Sequence, residues 1–262
     1  MTSLAAHDLV LRYGSGRSAG PDIVRGVTLD VPENAVTVLI GANGCGKSTL
    51  FAGLARLLVP AAGDVRLDGR SIDAMPTREV AKALALLPQH PIAPEGMTVA
   101  ELVRQGRTPH QGLLGRGGPD DDAAVAAAMK ATGVSELADR TADSLSGGQR
   151  QRVWLAMVLA QQTDILLLDE PTSFLDIGHA VELLDVVRRR NREHGTTVVM
   201  VLHDLFLAAR YADHLVAMQD GEIVAAGEPT EVLTAQLAEQ LYGIPCVVHP
   251  DPNTGRPVVL PR

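Results

Sequence analysis

The sequence predicts an α/β fold: a mostly parallel sheet with helices between its strands, opened by an antiparallel β segment and interrupted by an inserted helical subdomain. Three observations carry this. The short apolar runs VTVLI (36–40), ILLLD (165–169) and TVVMVL (197–202) are rich in β-branched residues or leucine and read as strands buried on both faces. Helical patterns alternate with them, as strand–helix–strand units require. The stretch from 90 to about 160 has no strand signal and breaks that alternation.

Taken in order, strand signals near 4–12 and 27–31 give the antiparallel start, and VTVLI then runs into a glycine loop and a helix from Ser48 to about Leu58. GDVRLDG (63–69) reads as a hairpin strand closed by Asp-Gly, and ALALLPQ (83–89) as a strand ending at Pro-Gln. Within the helical stretch, AAVAAAMKATG (123–133) is helical from its alanine content. GRTPHQGLLGRGGPDDD (106–122) is rich in Gly and Pro and reads as an exposed loop. Strand 165–169, helix 178–194, strand 197–202, helix 204–212, strand 214–218 and the turn QDGE (219–222) follow. The tail YGIPCVVHPDPNTGRPVVLP has two β-prone runs joined by DPNTG, a small terminal hairpin. The expected division is a main domain over 1–240, with its helical subdomain at about 90–162, and a hairpin tail over 241–262.

Composition narrows the function. At 262 residues and 46% hydrophobic content the chain can bury a sizeable core. Its formal charge of −8 and its 3% aromatic content speak against a nucleic-acid surface, which needs a basic footprint or stacking platforms. Cys45 and Cys246, without CxxC spacing, read as free thiols of a reducing compartment, and Cys45 as a small filler. No apolar run approaches a membrane span, and the N-terminus lacks the pattern of a signal peptide. Any action at a membrane is therefore expected to go through partners.

GANGCGKS, Gly41 to Ser48, satisfies G-x-x-x-x-G-K-[ST] between a strand and a helix. Its glycines let backbone N–H groups wrap phosphates, Lys47 offers a point charge, the helix N-terminus adds its dipole, and the Ser48 hydroxyl suits Mg²⁺. ILLLDEP ends a buried strand in two acids. In phosphate-loop enzymes Asp169 would hold the metal and Glu170 would orient or deprotonate the attacking water. A second glycine signature stands roughly a hundred residues later, LSGGQRQR (145–152). Ser146 and Gln149 match a capping box, and two glycines in the first turn let a phosphate approach the N–H groups.

With these motifs in this order, the chain resembles the nucleotide-binding subunits of ATP-binding-cassette (ABC) transporters over nearly all its length. LSGGQ is that family's signature. The resemblance implies a P-loop NTPase core with a mixed sheet, ATP and Mg²⁺ as ligands, and ATP hydrolysis. It gives ATP to Tyr13, whose ring would stack on adenine, to Gly41, Asn43, Gly44, Cys45, Gly46, Lys47, Ser48 and Thr49, and to Gln89. It gives Mg²⁺ to Ser48, Gln89 and Asp169, catalysis to Glu170 and the switch histidine His203, and a dimer loop to Asp176. Ser146, Gly147, Gly148 and Gln149 would serve the ATP of a second subunit. The implied assembly is a homodimer on integral-membrane permease subunits at the cytoplasmic face of the membrane, fed by a substrate-binding protein, with no nucleic acid.

GRTPHQGLLGR, DEPTSFLDIGH and the tail resemble the ATPases of iron-siderophore, heme and cobalamin importers, with the ferric-siderophore members closest. SFLD carries Phe174 where SALD is common. The rival is a soluble ABC ATPase working on DNA or ribosomes. Such members carry a long coiled coil or two cassettes, and this chain shows neither.

Overall fold

In a computed structural model of the chain, residues 2–14, 16, 20–112, 118–173 and 175–262 are described. Two compact units emerge. Unit 1 combines residues up to Met75 with Thr197–Arg262, and unit 2 is the continuous stretch Pro76–Thr196. The helices expected over about 90–162 lie within this second unit, which also holds two strands and the long helix that follows them. A side-chain amide helps tie it together: Gln161 Nε2 donates to the carbonyls of Ala81 and Leu84, joining the end of the helical stretch to a strand before it.

Unit 1 opens with β1 (Leu4–Leu11) and β2 (Val24–Val31), which pair antiparallel. β4 (Ala62–Leu67) pairs with the other edge of β1, and β5 (Arg70–Ser71) completes the order β2-β1-β4-β5. Asp68 and Gly69, both at positive φ, make the expected two-residue turn between β4 and β5. β3 (Val36–Ile40) is buried at every position and lies parallel to β8 (Thr197–Val201) on one side and β9 (His214–Gln219) on the other. That double coverage is why its sequence is a continuous apolar run rather than an alternating one. β9 turns through Asp220-Gly221 into β10 (Glu222–Gly227).

Helix α1 (Lys47–Leu54) ends four residues before the expected Leu58. Arg56, at φ 58°, occupies the left-handed position usually given to glycine. Its N–H donates to the Gly53 carbonyl and the Leu57 N–H to that of Ala52, closing the last turn. The Arg56 guanidinium donates to the Met75 carbonyl at 2.7 Å and helps hold this geometry. α7 (Leu205–Tyr211), α8 (Pro229–Val232) and α9 (Ala235–Tyr242) follow later in the chain. α8, α9 and β10 had no counterpart in the sequence reading. The expected hairpin is present as β11 (Cys246–Pro250) and β12 (Pro257–Pro261), paired antiparallel. Both cysteines are free and buried.

Unit 2 contains α2 (Thr77–Ala83), β6 (Leu84–Leu87), α3 (Val99–Gln105), α4 (Pro119–Ala131), α5 (Gly147–Ala160), β7 (Ile165–Leu168) and α6 (Ile177–His194). β6 and β7 pair in parallel. α6 buries Ala180, Leu183, Leu184, Val187 and Asn191, a stripe at helical spacing, whereas α5 is buried over most of its length.

The segment from 106 to 111 is not the exposed loop its composition implied. Arg107 is buried, and its Nε meets Asp121 Oδ1 at 2.8 Å. Its Nη1 donates to the Ala160 carbonyl at 2.7 Å and to Gln162 Oε1 at 2.9 Å. His110 Nε2 lies 2.7 Å from the Gln161 carbonyl, and Arg78 donates to the carbonyls of Pro109 and Gln111. Residues 113–117 of that segment and Phe174 lie outside the described residues, as do 15 and 17–19 of the stretch after Tyr13.

Candidate functional site

In unit 1 the phosphate loop leaves the end of β3 and enters α1. Gly41 has φ 148°, and a Cβ there would stand 2.2 Å from the Met218 carbonyl oxygen, so no other residue fits. The loop wraps Lys47, which is only 5% exposed. Its ammonium donates to the carbonyls of Gly41 at 2.8 Å and Ala42 at 2.9 Å, with Cys45 Sγ at 3.8 Å. Cys45 is thus packed against the lysine, its sulfur a weak acceptor for the ammonium. The Cys45 carbonyl accepts from the Gly221 N–H at 3.0 Å, anchoring the loop to the β9–β10 turn. The N-cap of α1 is Gly46, which offers no side-chain acceptor, and the helix's first turn carries no acidic residue. An ammonium, a run of glycines and a helix N-terminus without a competing carboxylate form an environment suited to phosphate.

The same unit carries Tyr13, whose side chain is 54% exposed and whose carbonyl accepts from the Gly20 N–H. His203 stands just beyond β8. Leu202 still continues the strand's pairing through its N–H to the Leu39 carbonyl, whereas His203 itself is exposed. Asp204 then caps α7, accepting from the N–H groups of Phe206 and Leu207.

In unit 2 the structure brings together Gln89, Glu170 and Ser173. The Asp169 N–H donates to the Leu87 carbonyl, extending the β6–β7 pairing to the strand end, and Asp169 is 7% exposed. Glu170 follows at φ 51°, a strained position for a non-glycine residue. Its Oε2 accepts from Gln89 Nε2 at 2.7 Å and from Ser173 Oγ at 2.9 Å. Since a carboxylate only accepts, the Gln89 amide nitrogen faces Glu170, which turns the amide's carbonyl oxygen to the other side. Ser173 had not been singled out from the sequence. The signal was its place three residues after the glutamate, within reach of a carboxylate at a turn.

The glycine signature forms as its spacing demands. Ser146 is the N-cap of α5. Its Oγ accepts from the Gln149 N–H at 3.3 Å, and Gln149 Oε1 accepts from the Ser146 N–H at 3.1 Å. Ser146 and Gly147 are exposed, so the helix N-terminus is presented at the surface of the unit. Asp176 is the N-cap of α6, accepting from the His179 N–H at 2.9 Å, with His179 Nδ1 2.8 Å from its other oxygen. The His179 backbone and side-chain contacts hold its carboxyl below the usual aspartate range. Among the described residues, no helix is long and apolar enough to cross a membrane.

Comparison with known proteins gives the wider setting. A family model described as "ABC transporter" matches residues 24–173. The chain is 51% identical to the "Probable siderophore transport system ATP-binding protein YusV" of Bacillus subtilis (strain 168), covering 100% of this chain and 94% of that one. It is 49% identical to the ferric enterobactin transport ATP-binding protein FepC of Escherichia coli (strain K12), over 98% of this chain and 93% of that one. Among solved structures, the dimeric form of the bacterial ABC transporter cassette MJ0796 is 25% identical. It superposes with a TM-score of 0.77 over 86% of this chain and 98% of that one.

Proposed function

The chain belongs to the ABC transporter family, and from that premise we propose that it binds and hydrolyses ATP to drive ferric-siderophore import. The observation that carries the cargo reading is the span of the similarity. Relatives named for siderophore and ferric enterobactin transport match essentially the whole chain, including the hairpin tail that lies outside the family model. Heme, cobalamin or another metal chelate is the alternative cargo.

The proposed division of labour follows from donor chemistry. Lys47 exchanges its loop carbonyls for ATP phosphates, and the backbone N–H groups from Asn43 to Thr49 cradle the same anion, with Gly41 at the root of the loop and Tyr13 under the base. Ser48, Asp169 and the carbonyl oxygen of Gln89 are hard oxygen donors that fit Mg²⁺, which would neutralise phosphate charge when bound. Glu170 takes the proton of the attacking water, and His203 contacts the γ-phosphate. The exposed, capped N-terminus of α5 completes the site of a second copy, with Asp176 at the contact between copies. The dimer works on permease subunits at the cytoplasmic face, supplied by a binding protein.

Uptake of radiolabelled ferric siderophore into cells lacking the chain tests this directly. The wild-type gene should restore uptake, and Lys47→Ala should not, with ATP binding lost in the purified variant. Uptake of heme or cobalamin in place of the siderophore would move the cargo, and unchanged ATP affinity in Lys47→Ala would remove the phosphate-loop reading. Ser146→Arg places a bulky cation at the exposed cap. It should leave ATP binding by one copy intact while preventing the ATP-dependent dimer seen by size exclusion, and loss of binding by the isolated copy would sink the in-trans role.

A further inference from the structure

Tyr242 and Arg256 tie the C-terminal segment to the rest of unit 1 through contacts that a terminal hairpin does not need for its own folding. The first is at Tyr242, the last residue of α9. Its hydroxyl oxygen accepts a hydrogen bond from the Gly41 N–H at 3.2 Å, across a separation of 201 residues. Gly41 is buried and stands one residue past Ile40, the last rung of the β3–β9 ladder, so its N–H has left the sheet. The Gly41 carbonyl accepts the Lys47 ammonium. One residue at the root of the phosphate loop therefore has its N–H fixed by Tyr242 and its C=O fixed by Lys47. When Lys47 turns to a phosphate, the tyrosine is the hold that stays. Burial pushes the Tyr242 phenol above its ordinary range, the same direction that favours the neutral hydroxyl.

The second contact is at Arg256, which enters β12. Its Nη1 donates to the Ala209 carbonyl at 2.7 Å and to the Ala212 carbonyl at 2.6 Å, at the C-terminal end of α7. A guanidinium there satisfies carbonyls that the helix itself leaves unpaired and complements its dipole. The other end of α7 is the Asp204 cap, next to His203. The segment is itself well fixed: Thr234 caps α9, and the Arg262 N–H donates to the Pro245 carbonyl across the base of the hairpin.

We propose that the C-terminal segment is a positioning brace for the ATP site, with Tyr242 holding Gly41 at the root of the phosphate loop and Arg256 holding the helix behind His203. This rests on the ATP reading above. Neither residue touches ATP; Tyr242 acts through the root of the phosphate loop and Arg256 through the helix next to His203.

The test uses the full chain and ATP itself. Tyr242→Phe removes one oxygen atom, and calorimetric titration should show ATP affinity about three- to tenfold weaker, the effect of one lost hydrogen bond to a buried N–H. In the assembled transporter the same variant should raise KM and leave kcat in place. Arg256→Ala should lower kcat a few-fold with KM unchanged, and Arg256→Lys should restore part of it. A Phe variant that binds ATP as tightly as wild type, while Lys47→Ala loses binding, overturns the brace and leaves the phosphate loop standing. Full binding in both variants overturns the phosphate-loop reading itself. If Tyr242→Phe does not fold, amide exchange in the wild-type protein decides: a Gly41 N–H that exchanges as fast as open loop amides overturns the proposal.

Discussion

Glu170→Gln should bind ATP and fail to turn it over, with kcat falling by about 10²–10⁴-fold, the usual contribution of a positioned general base. The side chain keeps its length and shape, so Gln89 and Ser173 can still donate to its remaining carbonyl oxygen. What it loses is the ability to accept a proton. The backbone at φ 51° is unaltered, because the substitution does not touch the turn. With hydrolysis blocked and ATP binding retained, the ATP-bound dimer should accumulate on size exclusion, while phosphate release is reduced to background. A variant hydrolysing ATP near the wild-type rate would show that another group activates the water. Ser173→Ala is the natural companion: it removes one donor on Oε2 without altering the carboxylate.

Arg107→Ala should be strongly destabilising, lowering Tm by roughly 6–12 °C in a chain of this size. The guanidinium is 6% exposed at its side chain and satisfies three acceptors on two other segments. Its removal strands the Asp121 carboxylate in a buried position and leaves the Ala160 carbonyl short of a donor. Arg107→Lys should recover little, since one ammonium cannot reproduce the planar fork. The pH dependence carries a sign. The Arg107 hydrogen bond is the leading cause that holds the Asp121 carboxyl below its ordinary value. That contribution is fully present above the unfolded value near pH 4 and is lost as pH falls through the folded one. The gap in Tm between wild type and Arg107→Ala should therefore be widest at neutral pH and shrink below about pH 4. A gap that stays constant through acid would mean that packing, not the ion pair, sets the cost.

The parts legible in the sequence were those written locally. β3, β7 and β8 are continuous apolar runs, the phosphate loop keeps its chemistry within eight consecutive residues, and the capping box at Ser146 and Gln149 needs a spacing of three. The antiparallel start and the Asp-Gly turns were equally local. What escaped was whatever depends on distant partners. Arg107 sits among Gly and Pro and reads as loop, because its acceptors, Asp121, Ala160 and Gln162, come from elsewhere in the chain. α1 stops early because Arg56 adopts a glycine-like conformation that a carbonyl at Met75 helps to fix. α9 is a single amphipathic stretch of eight residues, too short for its period to stand out, and the role of Tyr242 depends on a strand two hundred residues away.

Unit 1 is assembled from both ends of the chain, with the whole of unit 2 inserted between Met75 and Thr197. This sets an order of events during synthesis. β3, an apolar strand buried on both faces in the finished protein, leaves the ribosome before either of its neighbours β8 and β9 exists. At translation rates of about 5–20 residues per second, it waits roughly ten to thirty seconds for them. Meanwhile Pro76–Thr196 emerges unbroken and has its own strand pair and helices to close upon. The inserted unit can be complete before its host, and the nascent chain must shield an unpaired hydrophobic strand throughout that interval.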